Sequence, residues 1–447
     1  MLRFSPNKGA RICVPANSSN KELLIGQERV VATYLVETPH PLEHAAAVIA
    51  GEQSSGTFVS VPGETLELKE RFGAQVMHIK AFDSVGSPSL PGSKAPHSEG
   101  GRTEYRRGEV VISFPLHNFG PSLPNLLATV AGNLYELQEL SGVRLLDLEL
   151  PPAFSARYPG PGFGIVGTRK LAQVYGRPLI GTIVKPSIGL STQELAKLVR
   201  QLALAGLDFI KDDELNADPP YAPLAERVPA VMAEIQRVAD QTGKKAMYAF
   251  NISGDVDHML RGHDLVKKYG GTCVMVSVNN VGFAALTHLR QHCELPIHGH
   301  RNNFGAMSRH PMLGIGYTAY QKLCRVAGVD HLHVGGVNSK FYESNEEVAR
   351  SITDCITPLF GDYRVMPAIA SAQWAGSAVE IYAATQTIDL IHVAGGGILA
   401  HPAGAAAGVR SMQQGWEAAL AGTPLTEYAA THPELRGAIE KFGTRSA

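Results

Sequence analysis

Lys211, Asp212, Asp213 and Glu214 stand side by side at the end of an apolar run, LDFIKDDE (207–214). The adjacent carboxylates of Asp213 and Glu214 offer hard oxygen ligands, which suit a cation such as Mg2+. The plainer alternative is an ordinary lysine–aspartate ion pair at the start of a loop. A second lysine, Lys185, closes another apolar run, LIGTIVKP (179–186). A lysine amine in a cationic, metal-bearing pocket can shed its proton and then abstract one from a carbon beside a carbonyl. Outside such a pocket it snorkels or pairs with an acid. Two HxH pairs follow, His298 with His300 and His331 with His333. Residues two apart on a strand share a face, so each pair could aim both rings at a zinc ion or a substrate. His298 and His331 are expected to be packed structurally, whereas His300 and His333, nearer the strand ends, are the functional candidates. Arg301 adds a planar fork suited to phosphate or carboxylate, its alternative being a surface salt bridge. Gly395-Gly396-Gly397 before HPAGAAAGVRSM reads as a glycine turn entering a helix, a place where backbone N–H groups can meet an anion.

These groups need a frame. Eight short apolar runs carry them: LIGTIVKP (179–186), LDFIKDDE (207–214), KAMYAFNIS (245–253), CVMVSV (273–278), LPIHGHR (295–301), HLHVGG (331–336), RVMPAIAS (364–371) and DLIHVAGGG (389–397). Each is followed by a helical pattern, and in one of these Ser191 and Glu194 stand at capping-box spacing. Near-continuous apolar strands alternating with helices suit a parallel sheet buried on both faces. Eight such units is the count of a (β/α)8 TIM barrel, an α/β fold whose chemistry gathers at the C-terminal ends of the strands. A doubly wound open sheet is the alternative. The polar residues lie at those C-terminal ends, including Ser371 after the seventh run and Lys340 after the sixth.

The preceding chain has a different texture. Residues 1–25 read as a polar arm and 26–155 as a smaller α+β (ferredoxin-like) domain. The joint ARYPGPGFG (156–164) leads into the barrel domain, 156–447, which ends in helices. Strands are expected at VVATYLVET, TFVSVP, AQVMHIKAF, EVVISFPL and VRLLDLELP. Helices are expected at PLEHAAAVIAGE and SLPNLLATVAGNLYEL, and a long exposed Ser/Pro/Gly-rich loop at 84–102. The chain has 447 residues, enough for two domains, with 44 % hydrophobic and 18 % charged residues. Forty basic residues oppose 41 acidic ones, for a net charge of −1, so neither nucleic acid nor an anionic membrane is an expected partner. Five scattered cysteines with no CxxC spacing point away from a disulfide framework or zinc knuckle and toward a reducing, cytoplasmic setting. The N-terminus carries no signal-peptide pattern, and no apolar run is long enough to span a membrane.

Taken together, the strand ends resemble the RuBisCO large-subunit family. GRPLIGTIVKPSIGLS (176–191) is similar to its first-strand motif and GLDFIKDDE (206–214) to its magnesium motif. HGHR (298–301) and DHLHVGG (330–336) are similar to its fifth- and sixth-strand motifs. The resemblance implies a catalytic Lys185 and a Lys211 carbamylated by CO2, which ligates one Mg2+ beside Asp213 and Glu214. It implies catalytic roles for His300 and the mobile-loop Lys340, and substrate contacts from Arg301, His333, Ser371, Gly395 and Gly396. AGEQSSGTF (50–58) and AGNLYEL (131–137) resemble two more family motifs. They imply that Glu52, Thr57 and Asn133 reach a neighbouring subunit's active site, hence a homodimer or a multiple of dimers, with no small subunit expected.

Departures from the family pattern carry the functional expectation. Ser187 stands where carboxylases have a second lysine, Gln373 where they have glycine, Phe304 for a histidine and Phe58 for a tryptophan. VNSKFYESNEE lacks the usual glycine before Lys340 and the Leu-Glu-Gly after it. Serine for lysine removes a positive charge beside Lys185, and glutamine puts a side chain where a phosphate would meet bare backbone. The resemblance therefore implies a RuBisCO-like enzyme, not a ribulose bisphosphate carboxylase. Its expected chemistry is Mg2+-dependent and passes through an enediolate on a phosphorylated keto sugar or sugar acid. The leading expectation is decarboxylation or C–C cleavage of 3-oxo-isoapionate 4-phosphate, with Arg301 available to hold a carboxylate. Enolase or isomerase chemistry on methylthio-pentulose phosphates is the nearest alternative. An amidohydrolase-like metal hydrolase and a non-catalytic sugar-phosphate binder are the readings from other classes.

Overall fold

A computed structural model describes residues 28–56, 61–96 and 103–443. The N-terminal arm, TFVSVP up to Ser60, Thr57 and Phe58 lie outside the described residues. The chain divides into two compact units, residues 1–157 with 304–323, and residues 158–303 with 324–447.

The first unit is built on strands β1 (Arg29–Thr38), β2 (Gln75–Val85), β3 (Tyr105–Pro115) and β4 (Gly142–Glu149). β1 pairs antiparallel with both β3 and β4, and β2 pairs antiparallel with β3. Alternate residues of β1 are buried along most of its length, with Val30, Ala32, Tyr34 and Val36 fully covered. That period of two is the signature of a sheet with one packed face. Helices Leu42–Glu52 and Leu123–Ala131 belong to the same unit. The second ends at Gly132 and continues only as a 3-10 turn over Asn133–Glu136, shorter than the single helix expected over 122–137. The stretch expected as an exposed loop from 84 is also partly tied down. Ser89 donates from its N–H (2.6 Å) and its hydroxyl (2.7 Å) to the carboxylate of Glu37, which is wholly buried and also takes Arg107. A buried carboxylate needs such donors.

The second unit is a closed barrel of eight strands. β5 (Leu179–Ile183), β6 (Phe209–Lys211), β7 (Met247–Asn251), β8 (Cys273–Ser277) and β9 (Ile297–His300) are followed by β11 (His331–Gly335), β12 (Met366–Ile369) and β13 (Ile391–Val393). All pair in parallel, β13 with β5 and β9 with β11 closing the ring. These strands lack the alternation of β1. β7, β8 and β11 are buried at every position, as a sheet covered on both faces requires. The missing β10 (Leu313–Ile315) is not a barrel strand; it pairs in parallel with β4 and so belongs to the first unit. No helix among the described residues is long and apolar enough to cross a membrane. Cys273, Cys293, Cys324 and Cys355 are all free and buried.

Candidate active site at the mouth of the barrel

β6 ends on Lys211, whose side chain is fully buried. Its Nζ donates to Asp212 O at 2.8 Å and lies 3.6 Å from Glu214 Oε2. Burial pushes the amine below the ordinary lysine range, against the pull of Glu214, Asp213 and Asp212. Lys185, two residues past β5, reaches across to Asp213 Oδ2 at 2.6 Å and to Ser187 Oγ at 2.8 Å. Burial would raise the Asp213 carboxyl, but hydrogen bonds from Lys185 and Leu215 N–H, with the charges of Lys185 and Lys211, hold it below its usual value. His300, the last residue of β9, places Nε2 3.5 Å from Glu214 Oε2. Burial and the Lys211 charge push its ring down to about 4, against Glu214. Five of the anticipated groups, Lys185, Lys211, Asp213, Glu214 and His300, thus converge.

The donor set fits a magnesium ion. Asp213 and Glu214 supply two hard carboxylates. Glu214 Oε2 stands beyond hydrogen-bond contact from both Lys211 Nζ and His300 Nε2. A carbamate on Lys211 would add a third anionic oxygen. Asn251, at the end of β7, was not picked out from the sequence, yet it braces this segment. Its Nδ2 donates to the carbonyls of Asp213 and Glu214, each at 3.2 Å. A polar side chain closing the apolar run KAMYAFN was the available signal. Asp212 faces away from the mouth chemistry. It is fully buried and takes Tyr248 Oη (2.6 Å), Asn251 N (2.9 Å) and Arg227 Nη2 (3.3 Å).

The remaining histidines divide as expected only in part. His331 is fully buried, with Nε2 2.8 Å from Thr168 Oγ1, and burial pushes it down to about 3. His298 and His333 are bonded to each other, Nε2 to Nε2 at 2.9 Å, and burial holds both well below the ordinary histidine range. Each HxH pair therefore spends ring nitrogens on protein partners rather than converging on a zinc ion. Arg301 lies just past β9 and forms a two-pronged pair with Glu343, Nη1 to Oε1 at 2.8 Å and Nη2 to Oε2. Lys340 is exposed, its Nζ 5.7 Å from the Phe341 ring centroid, and it makes no ion pair among the described residues.

After β12 the backbone turns sharply. Ser371 and Ala372 both adopt left-handed conformations, φ +79° and +53°, which non-glycine residues hold only when their surroundings enforce it. Gln373, nearly fully buried, does the enforcing: its Nε2 donates to Ser371 O (2.7 Å) and Val337 O (3.0 Å). Gly336 permits that approach, since a Cβ there would lie 2.2 Å from Ala370 O and 2.8 Å from Gln373 Nε2. Ser371 Oγ is buried without a partner. After β13, a Cβ on Gly395 would sit 4.0 Å from Lys185 Cγ, and one on Gly396 would meet nothing, so bare backbone faces open space beside Lys185. In the first unit Glu52 and Asn133 are exposed, with Asn133 Nδ2 3.4 Å from Glu52 Oε1. Phe304 is buried in that unit against Tyr320.

One other group of potential metal ligands occurs among the described residues, His263, Asp264 and His292. Of these, His263 has no lone pair to give: its Nε2 accepts from Glu294 N–H at 3.0 Å, which leaves the proton on Nδ1 facing Asp264 Oδ1 at 3.0 Å.

Two known domains divide the chain near the same joint, with residues 304–323, part of the first compact unit, falling within the catalytic-domain match. Residues 164–442 match the ribulose bisphosphate carboxylase large chain, catalytic domain, and residues 19–154 match its N-terminal domain. The chain belongs to the RuBisCO large-chain superfamily. Within it, the chain is 50 % identical over 414 residues to a 3-oxo-isoapionate-4-phosphate transcarboxylase/hydrolase of Xanthobacter autotrophicus, covering 92 % of this chain and 99 % of the relative. It is 45 % identical over 416 residues to a 3-oxo-isoapionate-4-phosphate decarboxylase of Rhizobium etli, covering 92 % and 98 %. The crystal structure of a RuBisCO-like protein from Burkholderia fungorum superposes with a TM-score of 0.86 at 47 % identity, over 93 % of this chain and all of that one.

Proposed function

We propose that this RuBisCO-superfamily chain is a Mg2+-dependent lyase acting on 3-oxo-isoapionate 4-phosphate by decarboxylation or C–C cleavage. The observation that carries the substrate is the pair of relatives at 45–50 % identity over 92 % of the chain, both named for it, and the one at 45 % is named a decarboxylase. The mouth of the barrel supports it chemically. A carboxylate β to a ketone leaves as CO2 when its bonding electron pair can pass to the ketone oxygen. Lys211, as its carbamate, with Asp213 and Glu214 would hold a magnesium ion, which supplies a Lewis acid for that oxygen.

The chain's own residues do the rest. Lys185, held by Asp213 and Ser187, would donate the proton to the reacting carbon, the reverse of the base role expected from the sequence. When the C–C bond breaks, CO2 departs, the electron pair forms the enolate, and the carbon takes the proton from Lys185 Nζ. Lys185 then recovers a proton from solvent. Ser187 leaves Lys185 as the one cation at that turn, which suits a reaction that releases CO2 rather than captures it. Bare backbone at Gly395 and Gly396, with the unpartnered Ser371 Oγ, would offer donors for the single phosphate, while His300 faces the substrate and His333, bonded to His298 and packed 4.4 Å from the His300 ring, would position it. Lys340 is the residue of the loop that would close over the substrate. We further propose a homodimer or multiple of dimers in which the exposed Glu52 and Asn133, with Thr57, complete a neighbour's site, and a cytoplasmic setting that keeps the four buried thiols reduced.

The test is carbon and phosphorus NMR of the protein with Mg2+, bicarbonate and 3-oxo-isoapionate 4-phosphate in D2O. Loss of the carboxyl carbon, with deuterium at the carbon that bore it, is the expected result. Deuterium uptake with the carbon skeleton intact would instead assign enolase or isomerase chemistry and end the lyase reading.

A further inference from the structure

Arg301 offers the barrel mouth a two-pronged cation, and Glu343 already fills it. The pair is bidentate, and its side chains are only 11 % and 9 % exposed. The backbone makes room for it. Gly335, at the end of β11, has φ +96°, and a Cβ there would lie 2.9 Å from Glu343 Oε2 and 3.0 Å from Arg301 Nη2. A glycine is therefore required twice over, for its conformation and for its lack of a side chain. Glu343 is also fixed from behind. The next residue, Ser344, opens helix Asn345–Ile356 through a capping box with Glu347, Ser344 N–H donating to Glu347 Oε2 at 2.8 Å.

A guanidinium edge engaged by one carboxylate has no donors left there for a phosphate. A phosphate brought to the same edge would also face the Glu343 charge at close range. We infer that Glu343 is a specificity-determining residue. It supplies the anion at Arg301 from within the chain, and so restricts the barrel mouth to sugar phosphates with one phosphoryl group and no second phosphate on the Arg301 side. The inference rests on the barrel mouth being the substrate site. The expectation that Arg301 holds the substrate carboxylate is thereby corrected, since Glu343 occupies its fork.

The experiment is calorimetric titration of the intact protein, with Mg2+, using ribulose 5-phosphate and ribulose 1,5-bisphosphate as probes. The wild type should bind the bisphosphate no more tightly than the monophosphate. Glu343→Gln keeps the shape and removes the charge. It should tighten bisphosphate binding by roughly tenfold or more while leaving the monophosphate within about threefold. Adding Arg301→Gln should erase that gain. Should Glu343→Gln not fold, Glu343→Asp, which retracts the carboxylate, should move the ratio the same way by less. An unchanged ratio in whichever variant folds overturns the inference, as does a wild type that already prefers the bisphosphate tenfold. Turnover is not read, so absence of decarboxylation would defeat the lyase proposal alone. Failure of both probes to bind would overturn the barrel-mouth site and this inference together.

Discussion

Asp208 and Asp213 flank the same short strand, β6, one at each end of the barrel. Asp208 comes just before it. Its carboxylate is wholly buried and receives Arg177 Nη1 (2.6 Å) and Nη2 (3.1 Å), Ile180 N–H (2.8 Å) and Lys244 Nζ. Asp213 comes just after it and shares Lys185 with a cluster containing Lys211, Glu214 and His300. β11 repeats the pattern. Asp330, just before it, takes Phe163 N (2.5 Å), Gly164 N (2.9 Å), Ile297 N (2.8 Å) and Arg290 Nη1 (2.9 Å). At its far end lie His333 and the Gly335 turn. At the N-terminal end of the barrel each carboxylate is saturated by fixed donors and can do nothing further. At the C-terminal end the charges are crowded, Lys185 and Glu214 are partly exposed, and Glu214 Oε2 stands 3.6 Å from Lys211 Nζ and 3.5 Å from His300 Nε2, which leaves room for a ligand. Asp208 and Asp330 hold the barrel together from before their strands, whereas Asp213 and Glu214, after theirs, are the acids available for chemistry.

The sharpest way to break that comparison is to change one residue at the mouth. Lys185→Met keeps the stem and removes the ammonium. Lys185 is 43 % exposed but its partner Asp213 only 2 %, and Lys211 and Leu215 N–H remain beside that carboxylate, so melting should fall only modestly. Activity should fall by roughly a hundred- to ten-thousand-fold, the range for loss of a general acid or base. Steady-state rates with a melting curve on the same sample check both halves. A large drop in melting temperature with activity preserved would show that Lys185 belongs with the structural residues.

The barrel was legible because its strands are apolar on both faces, and the end-of-strand rule then located Lys185, Lys211, Asp213, Glu214 and His300. Other parts were hidden for physical reasons. Helix Leu66–Phe72 buries none of its residues, so LELKERF shows no apolar stripe to read. β10 is three residues long and pairs with β4 far back in the chain, a partnership that no local pattern encodes. Glu343 stands 42 positions from Arg301, and only the fold brings the two together. Gln373 was legible as a departure, but its work in holding two left-handed residues depends on carbonyl directions that the sequence does not specify. Asp208 and Asp330 stand at the N-terminal strand ends, where the barrel rule expects no chemistry, so nothing in the sequence marks them out.

A second prediction tests the N-terminal end. Asp330→Asn removes the charge that faces Arg290, a side chain only 5 % exposed. Breaking one member of a buried pair leaves the other uncompensated, at a cost of roughly 3–5 kcal/mol. The urea midpoint should drop accordingly, while the kcat of whatever fraction remains folded should stay within about threefold of wild type. A normal midpoint with lost activity would erase the distinction between the two ends.

The smallest effect, and the one with a pH signature, belongs to Asp208. Burial would raise its carboxyl, but the bonds from Arg177 and Lys244 and their charges hold it below the usual aspartate value. The unfolded chain therefore takes up a proton at a higher pH than the native one. Stability from this group is complete above the unfolded value, about 3.9, and declines as pH falls through the native value. Arg177 and Lys244 are 25 % and 35 % exposed, so solvent screens part of the interaction. Asp208→Asn should cost roughly 1.5–3 kcal/mol at neutral pH, the range for hydrogen bonds to a charged group. The gap between wild type and variant should be flat above about pH 5 and should narrow below it as the wild type loses the advantage of its charge. Paired urea titrations across that range measure the gap directly. A gap that stays constant, or widens, as the solution is acidified would mean that Asp208 is not held as a carboxylate by its two cations.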